Sequence, residues 1–235
     1  MVRNGVRSRV HVQAGSESLI SSAGAVLLLQ TARASGLDRG LSAALAPWRP
    51  ARAVHDPGKT VLDLAITLAL GGDCLADVGL VRAQRELFGP VASDPTVCRL
   101  VESLANDPDA AVAAIRAARA QARDRTWGYR SPVAPTGQVV VDLDATLVGA
   151  HSEKEGATPN YKRGFGFHPM LAFVDHADGG TGEPLAALLR EGRAGANSAT
   201  DQITVLDAAL DQLPETPPVP GPGPRRHRRW RQGVR

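Results

Sequence analysis

The chain has 235 residues, an ordinary apolar content of 43%, few aromatic residues and a formal net charge of +3. This length is enough to bury a core, as one large domain or two small ones. The cysteines Cys74 and Cys98 lack the spacing of a zinc cluster or a disulfide framework, and no segment is long and apolar enough to span a membrane, so we expect a cytoplasmic protein.

The positive charge is concentrated near the end of the chain. Segment 214–235 contains six arginines and one glutamate, and its high content of Pro and Gly predicts disorder. Without this segment the rest of the chain is slightly acidic. The basic isoelectric point is therefore weak evidence that the folded part binds nucleic acid.

The first residues, 1–15, are also predicted to be disordered. Three arginines precede an apolar run at 26–29, a combination that a secretory signal would share. The same run fits a helix over 22–35 that begins at a serine and ends at Gly36. We favour the helix because the apolar run is short and follows several serines.

Residues 16–126 are predicted to form an all-helical, DNA-binding domain. Apolar periodicity and capping residues predict helices over 22–35, 41–46, 59–70, 74–86, 95–105 and 108–125. The helices at 74–86 and 95–105 suit a helix-turn-helix, in which Arg82 and Arg99 would contact DNA. An ordinary helical bundle, with both arginines as surface charge, is the alternative.

The pattern changes to that of β structure after a linker at 127–137, which is punctuated by Pro and Gly. Strands are predicted over 138–147, 160–167 and 169–176, and a further extended piece over 183–189. An amphipathic helix is predicted over 198–213. The predicted fold class is therefore α+β, with a helical domain followed by three antiparallel strands and a helix.

Two carboxylates, Asp142 and Asp144, end the first of these strands. Alternation places both side chains on one face of the strand, and a strand that delivers acids to its end is a common way to build a divalent-metal site. Haloacid-dehalogenase-like phosphatases and ribonuclease-H-like nucleotidyl transferases both use such a pair. The phosphatase fold alternates helices and strands, whereas the predicted meander matches the start of a ribonuclease-H-like core.

Several blocks of the sequence are similar to the DDE transposases of bacterial insertion sequences, of the DDE domain group 1 type. The resemblance covers about 22–214, and the joint occurrence of the blocks makes it specific. The blocks include Asp142-Leu143-Asp144-Ala145-Thr146-Leu147-Val148, Ala150-His151-Ser152-Glu153-Lys154-Glu155-Gly156, Lys162-Arg163-Gly164-Phe165-Gly166-Phe167-His168-Pro169, Gly182-Glu183-Pro184-Leu185 and Ala196-Asn197-Ser198-Ala199-Thr200-Asp201.

The resemblance implies cut-and-paste transposition of double-stranded DNA through its terminal inverted repeats, by a nucleoid-associated protein with a homodimer as a candidate assembly. Asp144 would be the first catalytic carboxylate and a ligand of Mg²⁺ (or Mn²⁺), with Asp142 supporting the metal. Lys154, Lys162 and Arg163 flank the strands and are candidate DNA contacts. A solvated charged face is the alternative for these three.

One departure from the family pattern concerns the remaining catalytic acids. The second Asp and the final Glu of the triad are expected beyond the helix at 198–213, where the sequence is too rich in proline to form a strand. We therefore expect 138–213 to be the first part of a ribonuclease-H-like domain, in a truncated or frameshifted copy without catalytic activity. A DNA-binding fragment that inhibits transposition and a magnesium-dependent phosphatase are the alternatives.

Overall fold

The computed structural model describes residues 24–129, 139–176 and 182–214, so the predictions for 1–15 and for the tail beyond 214 lie outside the described residues. The helices are α1 (Ala25–Ser35), α2 (Leu37–Ala44), α3 (Pro57–Ala69), α4 (Val78–Arg82), α5 (Arg85–Phe88), α6 (Asp94–Ala105), α7 (Pro108–Tyr129) and α8 (Ala199–Leu210). The strands are β1 (Val141–Ala145), β2 (Val148–Gly149), β3 (Thr158–Pro159), β4 (Phe165–Phe167), β5 (Met170–Val174) and β6 (Glu183–Leu188). In these ranges, every helix is too short or too polar to cross a bilayer.

Local sequence signals account for several helix ends. Helix α1 ends at Gly36, whose φ of 75° lies in the left-handed region that glycine adopts without strain. Helix α3 begins after Asp56, whose carboxylate accepts a hydrogen bond from the backbone N–H of Lys59 at 2.8 Å, and Pro57 occupies the first turn. The end of α1 agrees with the sequence-based assignment, whereas α3 begins two residues before the predicted start at 59.

The first seven helices share one apolar core. Helix α2 packs against both α3 and α7, and the short helices α4 and α5 close the other side of α3 and α1. The core contains the buried side chains of Leu41, Leu62, Ile66, Val78, Val81, Phe88 and Val97. The described part of 24–129 is therefore a helical unit with one apolar core.

Helices α2 and α3 approach each other most closely at Gly58. A Cβ atom at this position would lie 2.3 Å from the carbonyl carbon of Leu41 and from the backbone nitrogen of Ser42. We expect Gly58→Ala to lower the free energy of unfolding by about 1–3 kcal/mol or more, because the two helices must separate. Urea denaturation would measure this change.

Gly128 provides the matched control for that substitution, because it also lies in a helix but a Cβ atom added there would have no neighbouring atom within 4 Å. Gly128→Ala is expected to be neutral or to stabilise the chain by up to about 1 kcal/mol. Equal losses of stability in both variants would show that Gly58 does not mark a close helix contact.

Two sequence predictions in the helical region need correction. The segment predicted as one helix over 74–86 is a 3₁₀ turn (Leu75–Asp77) followed by α4 and α5, with a break at Gln84, where φ is −109° and ψ is 54°. Because the apolar periodicity continues across Gln84, the sequence pattern does not show the break. The predicted linker at 127–137 begins too early, because α7 continues through Tyr129.

The second half of the chain contains two small antiparallel sheets. The first has the strand order β1-β5-β6 and is followed by α8, so three antiparallel strands do precede a helix, but the strand at 183–188 replaces the predicted strand at 160–167 in this sheet. The second, β2-β4-β3, is formed entirely by residues between β1 and β5. Of the predicted strands, the one at 160–167 contributes to this second sheet, as β4.

These observations confirm an α+β chain with the helices first. In the register of the first sheet, Asp142 lies opposite Phe173 and Asp144 opposite Leu171. Pairing is antiparallel in both sheets.

Helix α8 covers one face of the first sheet and creates the second apolar core. Alternate residues of β5 (Met170, Ala172 and Val174) are buried in it, and α8 contributes Val205 and Ala209. The residues of β1 that pack against this core are Val141, Leu143 and Ala145. Asp142 and Asp144, which alternate with them, therefore lie on the opposite, exposed face.

Helix α7 joins the two cores. Its Trp127 is buried in the second core, and three of its arginines reach the edge strand β6. The guanidinium of Arg119 donates to the carbonyl oxygen of Pro184 at 2.6 Å, and that of Arg116 to the carbonyl oxygen of Ala187 at 3.3 Å. The third, Arg123, bonds to the carboxylate of Glu183 at 2.6 Å. The helix thus covers the β6 edge and donates hydrogen bonds to its carbonyl groups.

Candidate functional site

The carboxylates of Asp142 and Asp144 lie side by side on the exposed face of β1. Residues two apart on a strand are separated by about 6–7 Å, so both side chains can reach a common ion. β1 is an edge strand, paired with β5 on one side in the described part of the chain. The predicted pairing of these two acids on one face is therefore present.

A pocket of about 150 Å³ lies beside Asp144. Its lining combines residues of β1 and β5 with residues that lie just before and within the first turn of α8. These residues are Leu143, Asp144, Ala145, Met170, Ala196, Asn197 and Gln202. Since β1 is at the edge of its sheet, residues from both of its faces can border one pocket. The polar side chains available there are one carboxylate and two carboxamides.

The loop between β6 and α8 (residues 189–198) carries Asn197 to this pocket and is held by two buried side chains. His168 is 2% exposed, and its Nδ1 lies 2.6 Å from the carbonyl oxygen of Ala194. Arg190 is 8% exposed; its Nη1 donates to the carbonyl oxygen of Gly195 at 2.7 Å, and its Nε to that of His168 at 3.0 Å. The loop is therefore anchored immediately before the pocket residues.

Arg190 is balanced by an acid in the first turn of α8. Its Nη1 lies 2.9 Å from the Oδ2 atom of Asp201. This hydrogen bond from Arg190 lowers the pKa of the Asp201 carboxyl, and the hydrogen bond with Ser198 lowers it further. Asp201 is thus ionised at neutral pH and committed to Arg190, so it is not a spare ligand for a metal at Asp144.

The donor atoms at β1 suit a hard cation. Carboxylate oxygens are preferred ligands of Mg²⁺, which usually keeps several waters and takes one or two protein carboxylates together with substrate phosphates. Within 24–129, 139–176 and 182–214, the one group of three acidic, histidine or cysteine ligand atoms within 4.8 Å of one another is Asp73, Cys74 and Asp77, in the helical domain. Asp142 and Asp144 therefore fit one hydrated ion, and the described residues bring no third acid to them.

Comparison with known proteins identifies the family. A family model described as "Transposase DDE domain group 1" matches residues 2–218. The chain belongs to this transposase family. A search of curated proteins and a search of solved structures each found no match.

The two predicted DNA contacts in the helical part of the transposase differ in their surroundings. Arg82 donates from Nη1 to Asp94 at 2.8 Å and to the carbonyl oxygen of Ala92 at 3.0 Å, so its charge is largely compensated. Arg99 is exposed on α6, with its Nη2 donating to the hydroxyl of Thr96 at 3.1 Å. Of the two, Arg99 is the freer to meet a phosphate.

The other three predicted DNA contacts lie in the small sheet of the transposase. Lys162 and Arg163 form the tip of the β3–β4 hairpin, where the side chain of Asn160 accepts a hydrogen bond from the backbone N–H of Lys162. The Nζ of Lys162 lies 5.7 Å from the ring centroid of Tyr161. Lys154 is exposed in the loop before β3. All three cations are accessible, and their contact with DNA stays a prediction.

Sequence reasoning missed the polar residues that border Asp144 or fix its surroundings. Asn197 directly precedes Ser198, whose hydroxyl accepts a hydrogen bond from the N–H of Asp201, so it resembles an ordinary helix-capping segment. Arg190 and His168 resemble isolated polar residues in the sequence. The one available signal was that Asn197 belongs to a block that resembles the transposase family. That resemblance indicates that the segment matters but does not assign a role to Asn197.

Proposed function

We propose that this chain is the transposase of an insertion sequence, which binds the terminal inverted repeats of its element and holds a divalent metal through Asp144. The observation that carries the proposal is the place of Asp144 at the end of β1, on the exposed face and beside a polar pocket, in a chain of the DDE transposase family. The reaction class of this family is hydrolysis of a phosphodiester and strand transfer to target DNA.

Asp144 and Asp142 would hold Mg²⁺ or Mn²⁺ in this site. When bound, the metal polarises a phosphodiester and lowers the pKa of a bound water. The chain itself supplies carboxylate oxygens from a rigid strand, with Asp144 at the pocket and Asp142 one step behind it on the same face. Lys154, Lys162 and Arg163 would bind phosphates along the duplex by releasing counterions.

The helical domain would help to bind the terminal repeats. Arg99 is exposed on α6, in the position of a DNA contact, and Arg82 supports the start of that helix through Asp94. A homodimer on paired element ends completes the proposed assembly. Its location is the nucleoid of the cytoplasm, where its DNA substrate lies.

We further propose that the chain binds DNA and a metal without cutting DNA. Two-metal phosphoryl transfer requires carboxylates on both sides of the scissile phosphate, and the described residues bring only Asp142 to Asp144. This same observation favours a second candidate function, in which the chain occupies element ends and inhibits an intact transposase.

Substituting Asp144 tests the site. We expect Asp144→Asn to weaken Mn²⁺ binding at least about tenfold, because a neutral amide replaces the principal anionic ligand. A fluorescent duplex carrying the DNA found at the ends of the element would report binding by anisotropy, with Mn²⁺ and with EDTA. Wild-type protein should bind more tightly with Mn²⁺, and Asp144→Asn should lose that difference.

Asp207→Asn is the matched control, since Asp207 is an exposed acid on α8. It should retain the full effect of Mn²⁺. If Asp144→Asn and Asp207→Asn behave alike, Asp144 is not a metal ligand. Incubation of the wild-type chain with the same duplex and Mg²⁺ should give no nicked strand; an Asp144-dependent nick would contradict the proposed lack of cleavage.

A further inference from the structure

We infer that Asn197 and Gln202 bind a DNA phosphate beside Asp144 by donating hydrogen bonds from their side-chain amides. The inference rests on the proposed function and adds two phosphate-positioning residues to it. Both side chains line the same pocket as Asp144, and they come from different elements: Asn197 from the loop after β6, and Gln202 from the first turn of α8.

Hydrogen bonds from buried side chains fix the shape of the loop that carries Asn197. The apolar residues of segment 191–197 are restricted to alanine and glycine, so burial of its own side chains cannot fix it. His168 and Arg190 instead hold the carbonyl groups of Ala194 and Gly195, at 2.6 and 2.7 Å. Two buried polar side chains thus fix the backbone directly before Asn197, although Asn197 itself is exposed.

Close packing fixes the start of the same loop. A Cβ atom at Gly192 would lie 2.3 Å from the carbonyl oxygen of Thr158 and 2.5 Å from that of Gly166. The loop therefore rests directly on the small sheet. An exposed polar side chain on a backbone held at both ends is preorganised, and preorganisation is what a binding residue requires.

The chemistry of the pocket favours a phosphate for the amides and a cation for the carboxylate. Each carboxamide offers two N–H donors, and hydrogen bonds to an anionic oxygen are about twice as strong as those between neutral groups. Helix α8 has 12 residues, and its N-terminus adds a partial positive charge next to both amides. Asp144 repels a phosphate unless a metal ion lies between them, so phosphate binding here should depend on the metal.

The test uses the full chain, Mn²⁺ and the labelled element-end duplex. We expect Asn197→Ala and Gln202→Glu each to weaken Mn²⁺-dependent DNA binding about tenfold, since each removes a charge-assisted hydrogen bond and the second adds repulsion. Binding in EDTA should change less than about twofold for Asn197→Ala. Mn²⁺ affinity without DNA, measured by electron paramagnetic resonance, should not fall in either variant.

Gln121→Glu is the matched charge control, because Gln121 is an exposed amide on α7 outside the pocket. It should leave Mn²⁺-dependent DNA binding unchanged. Gln202→Glu should keep the fold, since an acid in the first turn of a helix is favourable, and thermal melts would confirm this for both pocket variants.

The outcomes separate this inference from the proposed function. Normal Mn²⁺-dependent DNA binding in Asn197→Ala and Gln202→Glu, together with its loss in Asp144→Asn, would overturn the role of the amides alone. A fall in Mn²⁺ affinity without DNA in Asn197→Ala would show that the amide ligates the metal, which also overturns it. No effect of Asp144→Asn would overturn the proposed function itself.

Discussion

Replacing Arg123 by alanine is expected to lower the free energy of unfolding by about 3–5 kcal/mol, because its buried guanidinium makes several hydrogen bonds and those that involve charged groups contribute about 1.5–3 kcal/mol each. The Arg123 side chain is 2% exposed, and its Nε lies 2.6 Å from Glu183. Its Nη1 donates to the carbonyl oxygen of Gln212 at 3.0 Å, and its Nη2 to that of Pro184 at 3.3 Å. One side chain thus ties α7 to β6 and to the end of α8.

Arg116→Ala on the same helix is the matched control for Arg123→Ala. Arg116 makes one exposed hydrogen bond, of 3.3 Å, to the carbonyl oxygen of Ala187. Its loss should cost about 1 kcal/mol or less. Urea denaturation of both variants would compare them. Equal and small losses would mean that the Arg123 cluster does not hold the helical domain to the sheet.

Replacing Trp127 by alanine should have a comparable effect, a loss of about 3–5 kcal/mol, because a large buried aromatic side chain leaves a cavity that its neighbours cannot fill. Trp127 is 2% exposed and belongs to the apolar core under the sheet. Its indole N–H donates to Glu183 at 3.2 Å, and its ring meets that of His176 edge-on, with centroids 6.4 Å apart.

Trp127→Phe separates packing from the hydrogen bond. It keeps most of the apolar volume but removes the N–H donor, so it should cost about 1–2 kcal/mol. Chemical denaturation followed by circular dichroism would measure both variants. Had Trp127 belonged to a solvated linker, neither substitution would change stability by more than about 0.5 kcal/mol, and such a result would contradict the structure.

Arg123 and Trp127 connect the proposed DNA-binding helices to the sheet whose strand β1 carries Asp144. Arg123 and Trp127 both contact Glu183 at the start of β6. β6 pairs with β5, and β5 pairs directly with β1. A duplex bound by the helical domain would therefore be held at a fixed position relative to Asp144 and its pocket.

Local patterns predicted a large part of the fold. The stop of α1 at Gly36 depends on residues within one helical turn, so the sequence reveals it directly. Alternation along β1 predicted that Asp142 and Asp144 share a face, and the structure confirms it. The α+β order of helices before strands followed from the change of apolar period.

Other features were hidden because they depend on contacts between distant residues. The break at Gln84 does not interrupt the apolar period. Trp127 looked like part of a Gly-punctuated linker, although it fills the core under the first sheet and bonds to Glu183, 56 residues further along the chain. The predicted strand at 160–167 contributes β4 to the small sheet, and 183–188 pairs with β5 in its place, because strand pairing depends on packing between distant segments.

By itself the sequence determined the transposase family, the order of helices and strands, and the pair of acids on β1, because each depends on residue types at short, regular spacing. Only the tertiary structure decided that Asn197 and Gln202 share a pocket with Asp144, that His168 and Arg190 hold the intervening loop, and that α7 joins both cores. Hydrogen bonds and packing between residues far apart in the chain fix these arrangements. Local spacing in the sequence does not show which distant residues will meet.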